Sequence, residues 1–191
     1  GLVIKSSVVK NNLLDRNALE AGLKDLLKDY PDRKCKVYLL HGDMTEEEIH
    51  SLYTNKKIKA YVTTTHGEGF GLPIFEAAYT GMPIIAPDWS GQVDFLYKPK
   101  KDKKGKVKNR SMFSKIDYTL RPVQEHSVWK GVVVADSMWC YPEESSYRHR
   151  MTEVYEDHGR FKKQATELKK WILANFSEEG IYQKFNESIE A

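Results

Sequence analysis

From Leu2 to Leu96 short β-branched runs alternate with stretches of helical periodicity, and this alternation constrains the chain more than any other feature. "LVIKSSVV" from Leu2 reads as a strand. "DRNALEAGLKDLLKDY" from Asp15 places Ala18, Leu19, Leu23, Leu26 and Leu27 on one helical stripe behind an aspartate cap. "CKVYLLHG" is the next strand, and in "MTEEEIHSLY" Thr45 and Glu48 have the spacing of a capping box ahead of Ile49 and Leu52. "IKAYVTTT" gives a third strand, "LPIFEAAYTG" a helix ended by Gly81, and "MPIIAP" a fourth strand. Strands separated by helices pair in parallel, so the expected fold class is α/β, a parallel sheet with helices on both faces.

The rhythm stops at "KPKKDKKGKVKNR", Lys98 to Arg110, which has charge and glycine but no periodicity and is expected to be a solvated loop. An anionic acceptor or a phospholipid headgroup is the sharper reading of the same run. "IDYTLRPV" and "GVVVADSMWCYP" are expected to extend the sheet, and from Glu143 the chain reads as helical, with Leu168, Trp171, Ile172 and Phe176 on one stripe. The expected division is therefore residues 1–142 as the sheet domain, with residues 143–191 as a helical tail packed on it.

With 40% apolar and 30% charged residues over 191 positions, the chain can bury a real core, which excludes a disordered class. A net charge of +3, concentrated in the lysine run, does not point to nucleic acid. Cys35 and Cys140 stand far apart without a histidine cluster, so no zinc site and no disulfide framework is expected. No apolar run reaches the ~20 residues of a membrane-spanning helix. A cytoplasmic location is the expectation, with a membrane surface kept as a possible partner that the sequence does not itself indicate.

"TTHGEGFGLPIFEAAYTGMPIIAPDWSGQVDFL" carries the chemistry. Ligands of open α/β sheets bind at the carboxyl ends of strands, and residues 64–72 occupy such a strand-to-helix loop. Gly67, Gly69 and Gly71 alternate with His66, Glu68 and Phe70, which lets a ligand approach the main chain closely. Pro73 suits a first helical turn, whose unpaired N–H groups and positive dipole end favour a phosphate. A carboxylate repels phosphate, so Glu68 and Glu76 are read as acceptors for vicinal hydroxyls, of which a nucleotide sugar carries two sets. His66 divides evenly between ligand contact and loop filler. Trp89, Ser90 and Gly91 open a second junction on the same sheet edge, where a core tryptophan and a cap serine would look identical.

"EGFGLPIFE" followed by "GMPIIAPDWSG" resembles the Glu-x7-Glu signature of retaining GT-B glycosyltransferases, the glycosyl transferases group one. The resemblance implies a Rossmann-like fold, the C-terminal half of GT-B, and a reaction that passes a hexosyl group from a nucleoside diphosphate sugar to an acceptor hydroxyl with retention. It implies no metal and no cofactor beyond the sugar nucleotide. Glu68 becomes the candidate catalytic-site residue, contacting the donor sugar's hydroxyls, and Glu76 the ligand of the ribose diol. The amides of Gly69, Phe70, Gly71 and Leu72 would hold the diphosphate or the sugar, and the resemblance adds Ser90 and Gly91 to the site. Lys5, at the end of the first strand, is a candidate source of phosphate charge.

The family's donor domain opens one strand-helix unit earlier, with an Arg and Lys loop, and it works with an N-terminal acceptor domain. The expectation is accordingly a partial donor-binding half, whose partners are a nucleotide sugar, a carbohydrate or glycolipid acceptor, and the missing acceptor domain or a partner chain. A polysaccharide, glycolipid or surface glycan is the expected product. A non-catalytic nucleotide-sugar or phosphate-binding module acting through a partner chain is the alternative, and a sugar-phosphate epimerase keeps the same pocket with a different reaction.

Overall fold

The computed structural model describes residues 1–190, with the backbone alone for Glu190. It divides into two compact units, Gly1–Ser51 and the chain from Leu52 onward.

In the first unit β1 (Leu2–Lys5) pairs in parallel with β2 (Val37–Leu40), Leu2 facing Val37 and Lys5 facing Leu40. The connecting helix α1 (Leu13–Lys28) starts two residues before Asp15. Asn12 is its cap, accepting the Leu14 and Asp15 N–H groups at 2.8 and 3.3 Å, because its position leaves the side-chain oxygen over the first turn. Asp15, read from sequence as the cap, instead accepts the Val8 and Val9 amides and the His41 Nε2–H at 3.0, 3.2 and 2.7 Å. Of the expected stripe, Leu19, Leu23 and Leu27 are half-buried, whereas Ala18 and Leu26 are exposed. Helix α2 (Glu46–Thr54) opens with the capping box: Glu48 Oε2 accepts the Thr45 N–H at 2.8 Å, and Thr45 Oγ1 accepts the Glu48 N–H at 3.2 Å.

The second unit is built on a three-stranded parallel sheet in the order β3 (Tyr61–Val62), β4 (Ile84–Pro87), β7 (Ser114–Ile116). Every residue of β4 is buried, as a central parallel strand requires. Its side chains alternate: Ile84 and Ala86 join one cluster and Ile85 the other. The first cluster joins α3 (Leu72–Tyr79), through Ile74, Ala77 and Ala78, to Leu168 and Ile172 of α6 (His158–Asn175). In the second, Ile85 and Ile116 pack with Val154 of α5 (Glu144–Glu156) and with Phe161. Helical residues thus cover both faces, which makes the fold α/β with helical C-terminal segments, ending in α7 (Glu178–Glu190). Fully burying a leucine or isoleucine contributes ~1.5–3 kcal/mol, so the stripe Leu168–Ile172, with Trp171 and Phe176 packed beside it, is core. Helix α3 ends as the sequence indicates: Gly81, at φ 79°, donates to Ala78 O and Met82 to Ala77 O, a Schellman closure.

Two readings are corrected. The lysine run is no loop but the antiparallel hairpin β5 (Tyr97–Lys101) and β6 (Val107–Ser111), which follows the short α4 (Val93–Leu96). Asp102 Oδ1 closes its turn by accepting the Lys104 and Lys106 N–H groups at 2.8 and 3.0 Å, and Gly105 supplies φ 79°. The strand that extends the sheet is β7, which takes in only Ile116 of the two expected segments. Those segments form their own antiparallel ribbon, β8 (Tyr118–Pro122) with β9 (Met138–Pro142), while Gly131–Val134 joins no strand and contributes one bridge to Trp129.

Candidate functional site

The loop between β3 and α3 is fixed from below and open above. Phe70 packs its ring on Phe75 and Phe95, with centroids 5.3 and 5.1 Å away, which anchors the middle of the loop to the core. Gly71 caps α3 in the left-handed region, φ 87° and ψ 50°, where a Cβ would lie 3.3 Å from Ile74 Cδ1 and 3.4 Å from Gln92 Cβ. Buried Gln92 donates from Nε2 to Pro87 O at 3.1 Å. Among the described residues, no hydrogen-bond partner receives the amides of Gly69, Phe70 or Gly71, or that of Leu72, which opens α3. Leu72 is 62% exposed, so its side chain does not account for its place through packing.

A second loop, entering from the end of β4, locks the first. Ser90, at φ 72°, donates from Oγ to Glu68 O at 2.6 Å and accepts the Glu68 N–H at 3.0 Å. The Gly91 N–H donates to the same carbonyl at 3.0 Å, and a Cβ on Gly91 would overlap the Gly69 carbonyl. The polar groups of Ser90 and the amide of Gly91 are therefore engaged in positioning the Glu68 backbone. Trp89 packs near Tyr118, with ring centroids 5.7 Å apart.

Glu68 is half-buried and Glu76, one turn into α3, is exposed. The charges of both carboxylates act on the Tyr61 phenol. Burial, then the charge of Glu68, then that of Glu76 hold the Tyr61 hydroxyl above its ordinary pKa. Burial first, with the neighbouring Tyr61 and the Glu76 charge after it, raises Tyr53 well above the tyrosine range, and the Tyr53 hydroxyl donates to Glu76. Sequence reasoning missed both tyrosines, since a tyrosine ending an amphipathic helix or opening a strand carries no local mark of a site.

His66 is held by the β8–β9 ribbon. Its Nδ1 lies 2.6 Å from Cys140 O, and a carbonyl only accepts, so Nδ1 carries the proton. Its ring stacks on Trp139, with centroids 5.1 Å apart and 13° between planes, and meets Tyr141 at 4.7 Å. Cys140 itself is fully covered, and burial pushes its thiol up to about 11, which makes a poor nucleophile at neutral pH. Lys5 ends β1 in the first unit, exposed.

The structure thus brings Glu68, the amides of Gly69–Leu72, Ser90 and Gly91 together, with His66 at the start of the same loop and Glu76 further along α3, bound by the Tyr53 hydroxyl. The family model described as glycosyl transferases group 1 matches residues 34–105. Over residues 34–105 the chain is similar to that family. The glycosyl transferase match takes in β2, α2, β3, the glycine loop, α3, β4 and the Ser90–Gly91 turn, and it ends in the turn of the lysine hairpin. At the family level the activity is glycosyl transfer. The β8–β9 ribbon that holds His66 lies outside the matched residues. No curated protein matches the chain.

Proposed function

We propose that this domain binds a nucleoside diphosphate sugar and serves a retaining transfer of the hexosyl group to an acceptor hydroxyl, on a carbohydrate or glycolipid. The observation that carries the reading is the row of unpartnered amides from Gly69 to Leu72 at the start of α3, with a carboxylate on either side. Aligned N–H groups at a helix start favour a diphosphate, and they stabilise the charge that the leaving nucleoside diphosphate acquires as the glycosidic bond breaks. Glu68, with its backbone held by Ser90 and Gly91, is suited to accept hydrogen bonds from the sugar's hydroxyls. Glu76, steadied by the Tyr53 hydroxyl, is suited to the ribose diol. No residue is assigned as a nucleophile; stabilisation of the leaving group carries the rate.

The test is NMR of the anomeric proton during incubation with UDP-glucose, GDP-mannose and ADP-glucose. The reading predicts release of the nucleoside diphosphate from one donor, with the first-formed sugar product keeping the donor's anomeric configuration. Inverted product, or an epimerised sugar nucleotide, contradicts it. Donor binding without turnover favours the non-catalytic module acting through a partner chain.

A further inference from the structure

The β5–β6 hairpin has a strongly charged face that the glycine-loop site does not use. In its register Lys98 faces Arg110 and Lys100 faces Lys108. Residues two apart share a strand face, so these four cations occupy one side of the ribbon, and Tyr97, Pro99, Lys101, Val107, Asn109 and Ser111 the other. Like charges directly opposite each other destabilise an antiparallel pair, yet here two such pairs are adjacent. Among the described residues, Lys98, Lys100 and Lys108 form no ion pair, and Arg110 meets only Glu167, at 3.4 Å with both side chains about half exposed. The closed turn holds this charge on a regular ribbon and adds Lys103, Lys104 and Lys106 at its tip.

We propose that this cationic face docks the protein on a membrane surface of anionic lipids. Residues 97–111 contain eight cations and one carboxylate while the chain as a whole is +3, so the remainder is net acidic. An anionic surface attracts the hairpin and repels the rest, which both binds and orients the protein. The four charges are spread along the ribbon in two facing pairs instead of converging on one point, which suits a sheet of headgroups better than a single phosphate. Single-stranded nucleic acid is less well served. Its binders interleave cations with stacking rings, whereas this face carries no aromatic residue. Tyr97 points to the other side, its hydroxyl bound to Asp88 and its ring against Phe113. Lysines, which outnumber arginine seven to one here, act as point charges without a bidentate fork.

The inference does not depend on the donor-site reading, and its test needs no turnover. The whole chain is sedimented with phosphatidylcholine vesicles, with and without phosphatidylserine, over a range of salt. The expected result is binding only where phosphatidylserine is present, weakening as salt rises. The variant Lys98→Thr/Lys100→Thr/Lys108→Thr/Arg110→Thr should bind about a hundredfold or more weakly, several-fold per charge removed. Its thermal midpoint should stay level or rise, since facing like charges are relieved and threonine suits a strand. The turn variant Lys103→Ser/Lys104→Ser/Lys106→Ser should lose less. The proposal is overturned by a folded chain that ignores phosphatidylserine, by undiminished binding of the four-threonine variant, or by an equal or greater loss from the turn variant. Tighter binding to a single-stranded oligonucleotide than to the vesicles also overturns it.

Discussion

Glycines of one motif serve different ends, and Gly69 and Gly91 separate them. A Cβ on Gly91 would overlap the Gly69 carbonyl, whereas one on Gly69 meets nothing within 4 Å. Gly91→Ala should therefore cost ~1–3 kcal/mol of stability, the range of an overpacked contact, and displace the loop that carries Glu68. Gly69→Ala should stay within about 0.5 kcal/mol, so any loss of ligand binding there reports on the ligand and not on the fold. Denaturant titration of the two variants compares them directly, and equal destabilisation would contradict this division. The glycine triplet, Pro73 and the glutamate pair were legible in the sequence because a strand-to-helix junction writes its needs locally. The structural task of Ser90 and Gly91 was not, since it arises from a loop 22 positions away. Nor was the hold on His66, whose partner, the Cys140 carbonyl, lies 74 positions on.

Elements with their own end signals were read correctly from sequence. The Thr45–Glu48 box and the Gly81 closure are built from residues within one turn, so pattern alone locates them. The lysine hairpin escaped because its strands consist of residues with little strand preference, and only the Asp102 turn and cross-strand pairing make them a ribbon. The cap of α1 was misplaced for a related reason: Asp15 resembles a cap, but its carboxylate is turned to His41 and the loop amides. That assignment has a pH consequence. The His41 hydrogen bond, helped by the Val8 and Val9 amides and opposed by desolvation, holds Asp15 below its ordinary pKa. A carboxylate lowered in the folded state contributes stability above its unfolded value, near pH 4, and loses it as pH falls through the folded one. Asp15→Asn should thus flatten the acid limb of the unfolding curve below about pH 4. An unchanged acid slope in the variant would show that the contact does not form in solution.

At the scale of the molecule, alternation of strand and helix was enough to give the α/β class, because a buried parallel strand such as β4 needs helical cover on both faces. Alternation says nothing about which strands pair. The parallel strands fall into two sheets, β1–β2 and β3–β4–β7, and the residues expected to widen the second one fold back on each other as β8–β9. What the second unit does assemble is a helix start with open amides, flanked by Glu68 and Glu76, inside a glycosyl transferases group 1 segment. This junction is proposed to hold a nucleoside diphosphate sugar. Calorimetric titration of the chain with UDP, GDP and ADP, each also as its glucose form, tests it most directly. The expected result is saturable binding of one base, weakened ~1–3 kcal/mol by Glu76→Ala for both forms, and weakened by Glu68→Ala chiefly for the sugar form. A folded chain that binds none of these ligands, or whose binding is untouched by Glu76→Ala, would contradict it.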